Sequence, residues 1–88
     1  MWISEKKLTK QIEEQMTRSL FYGITYAYFQ YHEGMSQEAK DMFITESVHI
    51  IKAMSPEDIE KIPKEKLNEY GHTICIKSIN NLKSIFGK

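Results

Sequence analysis

Two of the three histidines follow a glutamate by three residues: Glu46 with His49, and Glu69 with His72. On a helix this spacing turns both side chains to one side, and Glu-x-x-His is how four-helix di-iron proteins present two ligands per helix. Such a centre also needs inward carboxylates from two further helices, and Glu13 or Glu14 could supply one. The helical faces count against it. Glu46 lies at the border of its apolar stripe, and Glu69 projects almost opposite the stripe holding Leu67, Ile74 and Leu82. With ten glutamates in 88 residues, chance matches are unsurprising. The sequence therefore predicts no metal site and no cofactor.

The other reactive side chains read in the same way. Cys75 falls among apolar positions, where a thiol acts as a small hydrophobe and not as a nucleophile. His32 stands at the expected end of a helix, where a cation suits the macrodipole. The four glycines are isolated, and no phosphate-binding loop, CxxC pair, nucleophile elbow or triad spacing is present. No catalytic residue is assigned, and the expectation is that the protein is not an enzyme.

Contact chemistry is better represented. Residues 20–31 contain Phe21, Tyr22, Tyr26, Tyr28, Phe29 and Tyr31, and nowhere else are large side chains so dense. On a helix, Arg18, Phe21, Tyr22, Thr25 and Phe29 lie on one flank, next to Gln11, Glu14 and Gln15. Glu14 and Arg18 can pair one turn apart, and Arg18 can stack on Tyr22. Arginine with large aromatics is the signature of protein–protein hot spots, so these five residues are the expected partner-binding surface. Complete wrapping of this flank by other helices is the competing possibility. Ser19, Gly23 and Ala27, four apart on another face, let a second backbone approach closely; the expected neighbour is another helix of the same chain.

The elements that position these residues are helices. Ser4 can cap the first, with Ile3 and Leu8 as a hydrophobic staple. Leu8, Ile12, Met16, Leu20 and Ile24 then step by four and draw one apolar stripe. Gly34 offers a stop, so the helix should cover 5–33. A second helix follows Ser36 and runs over 37–54, with Ala39, Phe43, Ile50 and Met54 on its core face, widened by Met42 and Ile51. Ser55-Pro56-Glu57-Asp58 opens a short third helix with a cap, a proline at the first helical position and a capping-box acid. Pro63 disfavours helix at Ile62 and starts the last helix. There Leu67, Tyr70, Ile74, Cys75, Ile79, Leu82, Ile85 and Phe86 share a broad face with Gly71 and Ser78, while Ile76 points away. A β-hairpin over 73–86, turning at Asn80-Asn81, explains fewer positions.

Composition sets the bounds. Eighty-eight residues make one domain, 1–88, of the all-α class: a small bundle of three long helices plus one short one. Twelve basic residues balance twelve acidic ones, whereas a nucleic-acid binder draws its affinity from basic excess. The aromatic stretch is too short to span a bilayer, which takes about 20 apolar residues, and no signal peptide is visible. One cysteine cannot form an internal disulfide. The expectation is a cytoplasmic interaction protein that binds itself, as a dimer or larger assembly, or a target protein that it inhibits or escorts. No nucleic-acid or membrane partner is expected. A planar or anionic small ligand near Arg18, Tyr22 and Tyr26 is the alternative.

Overall fold

A computed structural model describes residues 4–86. Ile3, the expected staple partner of Leu8, and the side chain of Phe86 lie outside the described residues. The protein is all-α: α1 spans Glu5–Gln30, α2 Gln37–Ala53, α3 Pro56–Glu60 and α4 Leu67–Phe86. A 3-10 turn, Lys64–Lys66, leads into α4. The hairpin alternative over 73–86 is absent, because those residues continue α4.

Local chemistry sets the ends of these helices. The Ser4 and Ser36 hydroxyls accept from the amides of Lys7 and Ala39, each at 3.1 Å. At Ser55 the full capping box forms: the Asp58 amide donates to the Ser55 hydroxyl at 3.1 Å, and the Ser55 amide donates to the Asp58 carboxylate at 3.2 Å. α1 stops at Gln30, three residues before the expected end, and Gly34 takes up φ 81° in the connection to α2. The cation at the end of α1 is Lys40, whose ammonium donates to the Gln30 carbonyl at 2.8 Å. His32 lies past the helix, with its Nδ1 2.8 Å from the Glu33 carbonyl. Lys40 reaches this carbonyl because it sits on the first turn of α2, folded back beside the end of α1.

The helices α1, α2 and α4 each pack on the other two, and α3 touches α1. Their core has two apolar clusters. Phe21, Ile51 and Ile74 form one, and Phe29, Phe43 and Cys75 the other. Each long helix buries one hydroxyl: Thr25 falls between Phe21 and Phe29, Ser47 between Phe43 and Ile51, and Ser78 on α4 lies against Ser47. Ser47 donates to Ser78 at 3.1 Å, Ser78 to the Cys75 carbonyl at 2.8 Å, and Thr25 to the Phe21 carbonyl at 2.9 Å. Each buried hydroxyl thus keeps a partner, which avoids the cost of stranding a polar group in the core.

The core covers only part of α1. At 26 residues α1 is about 39 Å long, whereas the 17 residues of α2 give about 26 Å. The first buried residue of α1 is Phe21, and residues 4–13 are all exposed. The molecule is accordingly elongated, 52 × 22 × 19 Å.

Close helix approach occurs at Gly71 on α4. A Cβ there would stand 2.7 Å from Ile24 Cδ1 and 2.9 Å from Ile24 Cγ2. Ile24 is β-branched and stiff at χ1, so it cannot swing aside cheaply. We expect Gly71→Ala to lower stability by about 1–3 kcal/mol in urea denaturation, despite the better helix propensity of alanine. Adding Ile24→Ala should restore part of that loss; purely additive losses would show that the approach is looser than described.

Candidate functional site

The expected contact surface on α1 is divided by the fold. Phe21 and Phe29 are 0% exposed and Thr25 is 1% exposed, so these three are core and not partner-binding surface. The physical reason is their four-residue spacing, which points all three into the seam between α2 and α4. Phe29 stacks on Phe43 with centroids 5.2 Å apart, and Phe21 meets Tyr70 at 5.7 Å. Tyr22 is half-buried against the Phe21 cluster. An outside partner cannot reach Phe21, Thr25 or Phe29 without unfolding the bundle.

Arg18 has an internal task. Its Nε donates to the Glu14 carboxylate at 3.0 Å, its Nη1 to the Ile51 carbonyl at 2.6 Å, and its Nη2 to the Met54 carbonyl at 2.7 Å. The guanidinium thus caps the end of α2, where the macrodipole favours a positive charge. It adds a donor to the Ile51 carbonyl, which also accepts from the Met54 amide at 3.2 Å. These contacts leave the Arg18 side chain 13% exposed. The link joins positions 33 and 36 residues apart, which spacing within one helix does not reveal.

The stripe of small residues is corrected as well. Ser19, Gly23 and Ala27 are exposed, and a Cβ on Gly23 would meet nothing within 4 Å. They do not pack on another helix of this chain, because α2 and α4 occupy the opposite side of α1. They share their outward face with Leu8, Ile12, Met16, Leu20 and Tyr26, which are 46%, 51%, 66%, 38% and 52% exposed. At 100° per residue these eight positions fall within one arc of about 120°, so the face is continuous. A shallow groove runs along it, lined by Leu8, Gln11, Ile12, Gln15, Met16, Ser19 and Leu20. The Leu8–Leu20 stripe was visible in the sequence, but which stripe of α1 is buried was not.

A second groove lies between the end of α2 and the start of α4. Ile50, Met54, Ile62 and Ile74 line it, together with Lys61, Lys66 and Lys77. Neither groove is lined by Arg18, Tyr22 or Tyr26. The Glu-x-x-His pairs face outward in part: His49 is exposed with Glu46 3.9 Å away, and the His72 ring sits 2.9 Å from the Asn68 carbonyl. Glu46 instead accepts from Asn81 at 2.9 Å. Among the described residues, no three His, Cys, Asp or Glu side chains are grouped to hold a metal ion, and no helix is long and apolar enough to cross a membrane.

Compared with family models, curated proteins and solved structures, the chain matches none.

Burial pushes the Cys75 thiol up from 9.0 to about 11, against a smaller opposing effect of a backbone hydrogen bond. Near neutral pH the thiolate is then roughly a hundredfold scarcer than for a free thiol. We expect Cys75 to react slowly with a thiol reagent in the folded protein and rapidly in denaturant; equal rates would show that α4 does not bury it. The folded state favours the protonated form, so this contribution to stability is complete below pH 9 and is lost as pH climbs towards 11.

For Arg18, we expect Arg18→Ala to lower stability by about 2–3 kcal/mol, since two carbonyls and a half-buried carboxylate lose a charged donor. Arg18→Lys should recover little of this, because an ammonium cannot fork to three acceptors. Urea midpoints check both variants, and full rescue by lysine would reduce the interaction to charge alone.

Proposed function

We propose that the protein is a non-enzymatic protein-interaction module whose contact surface is the outward face of α1. The observation that carries this reading is the row of five large apolar side chains left in solvent on one helix face. Together they leave roughly 500 Å² uncovered, near the top of the range for the largest patch on a soluble monomer. Scattered exposed apolar residues need no explanation; a row aligned over five turns does.

The zero net charge supports the same reading. It offers no long-range field for a polyanion, and it leaves apolar contact as the main source of affinity. The partner is itself or a target protein that the contact inhibits or escorts, with the cytoplasm as the compartment.

A photo-crosslinking residue placed at Met16 tests this in cells that express the protein, with one at the exposed Lys52 on α2 as control. The expected result is a protein adduct at Met16, identified by mass spectrometry, and little at Lys52. Absence of any adduct at Met16 above the Lys52 level would overturn the outward face as a contact surface.

A further inference from the structure

We infer that the outward face of α1 pairs with the same face of a second copy, antiparallel and about a two-fold axis passing between Met16 and Ser19. The inference rests on the contact-surface reading above and names its occupant. The face is self-complementary in a specific way. Its first half carries three large side chains four apart, Leu8, Ile12 and Met16, and its second half carries three small residues four apart, Ser19, Gly23 and Ala27. When two such helices run antiparallel with paired positions summing to 35, Leu8 meets Ala27, Ile12 meets Gly23 and Met16 meets Ser19. Each of these three large residues then faces a small one, six times over in the two-fold pair, while Leu20 meets Gln15 and Tyr26 meets Thr9. A parallel pair would set Ile12 against Ile12 and Gly23 against Gly23, crowding one end and leaving a gap at the other.

The geometry of the single chain allows this approach. Nothing stands within 4 Å of a Cβ built on Gly23, so a partner side chain can reach the backbone there. The neighbours of α1 lie on its other sides: Ile24 meets Gly71 of α4, and the Arg18 fork reaches the end of α2. α3 lies on a further flank, marked by the Lys10–Glu60 ion pair at 3.5 Å. No element has to move to admit the second copy.

The area agrees with the pairing. Covering Leu8, Ile12, Met16, Leu20 and Tyr26 on both copies removes roughly 1,000 Å² from water, before the small residues and flanks contribute. That reaches the floor of about 1,000 Å² for a biological interface and stays below the typical value of roughly 1,600 Å². The dimer should accordingly have a small interface and form in a concentration-dependent way. Antiparallel α1 helices also set opposite ends of their macrodipoles side by side, which favours this orientation over the parallel one.

The test combines mass and register. Light scattering from submicromolar to several hundred micromolar protein should show a monomer giving way to a dimer. Met16→Glu and Gly23→Leu should both remain monomeric with unchanged helix content by circular dichroism; leucine improves helix propensity, so loss of dimer in that variant is not loss of fold. For register, chains carrying Glu5→Cys are mixed with chains carrying Gln30→Cys, both on a Cys75→Ala background, and treated with a short bis-maleimide. Glu5–Gln30 products are expected to dominate over Glu5–Glu5 products. A dimer that persists in both surface variants, or Glu5–Glu5 products in excess, overturns the proposal. A monomer at every concentration overturns it too. The Met16 photo-adduct then separates the two readings: an adduct with another protein keeps the contact surface and removes self-pairing, and no adduct removes both.

Discussion

The guanidinium of Arg18 fixes where the bundle ends. Its donors to the Ile51 and Met54 carbonyls pin the last turn of α2 against α1. They also hold the chain as it turns into Ser55, whose capping box starts α3. Beyond this point towards the N-terminus α1 buries no side chain fully, and before Phe21 it has no residue in either core cluster. A lone arginine among twelve basic residues is therefore an internal fastener, suited to the task because its planar fork can satisfy three acceptors at once. The outward face of α1 keeps its large apolar side chains from Leu8 to Tyr26 in solvent, with Glu5, Thr9 and Gln30 as the polar positions of the same arc.

The core beyond Arg18 is built by alternation. Two large aromatic and aliphatic clusters supply the burial energy, and the level between them is filled by Thr25, Ser47 and Ser78. Small residues at that level let the three helices close to short range, as Gly71 does where α4 crosses Ile24. The Ser47–Ser78 bond ties α2 to α4 at one register. A slip of either helix would strand a buried hydroxyl, and this penalty favours the observed alignment over neighbouring ones.

Much of this was legible in the sequence because it is local. Ser4, Ser36 and Ser55-Pro56-Glu57-Asp58 start helices where the capping rules place them, and the face of α4 from Leu67 to Leu82 follows from its period. The site on α1 was not legible, for a physical reason. α1 carries two apolar arcs, one with Phe21 and Phe29 and one with Leu8, Ile12, Met16 and Leu20, and period alone cannot rank them. The buried arc includes Thr25 and Arg18, two residues that polarity assigns to the surface. What reverses that assignment is non-local for Arg18, whose donors are consumed by carbonyls of α2, whereas Thr25 satisfies its hydroxyl on the Phe21 and Tyr22 carbonyls of its own helix and so can be buried. Gly23 and Gly71 pose the same problem, since either could admit a close neighbour and only the tertiary arrangement shows that Gly71 does so within the chain.

The exposed half of α1 has a further consequence for binding. A free helix of its length, 12 or so residues, is marginal in water because nucleation is unfavourable. Here the nucleus already exists in the buried half, so each added residue only propagates a formed helix. Residues 5–16 hold three Lys, three Glu and two Gln, which propagate well, and the Ser4 cap closes the end. The Lys10–Glu60 pair adds a weak tether, as expected of two exposed ions. The outward stripe is thus held in its helical form within the single chain. The proposed association would then cost side-chain ordering but little backbone ordering, so a contact of modest area could still yield useful affinity. The exposed and buried halves of α1 are one continuous helix, with Arg18 as the point where they meet.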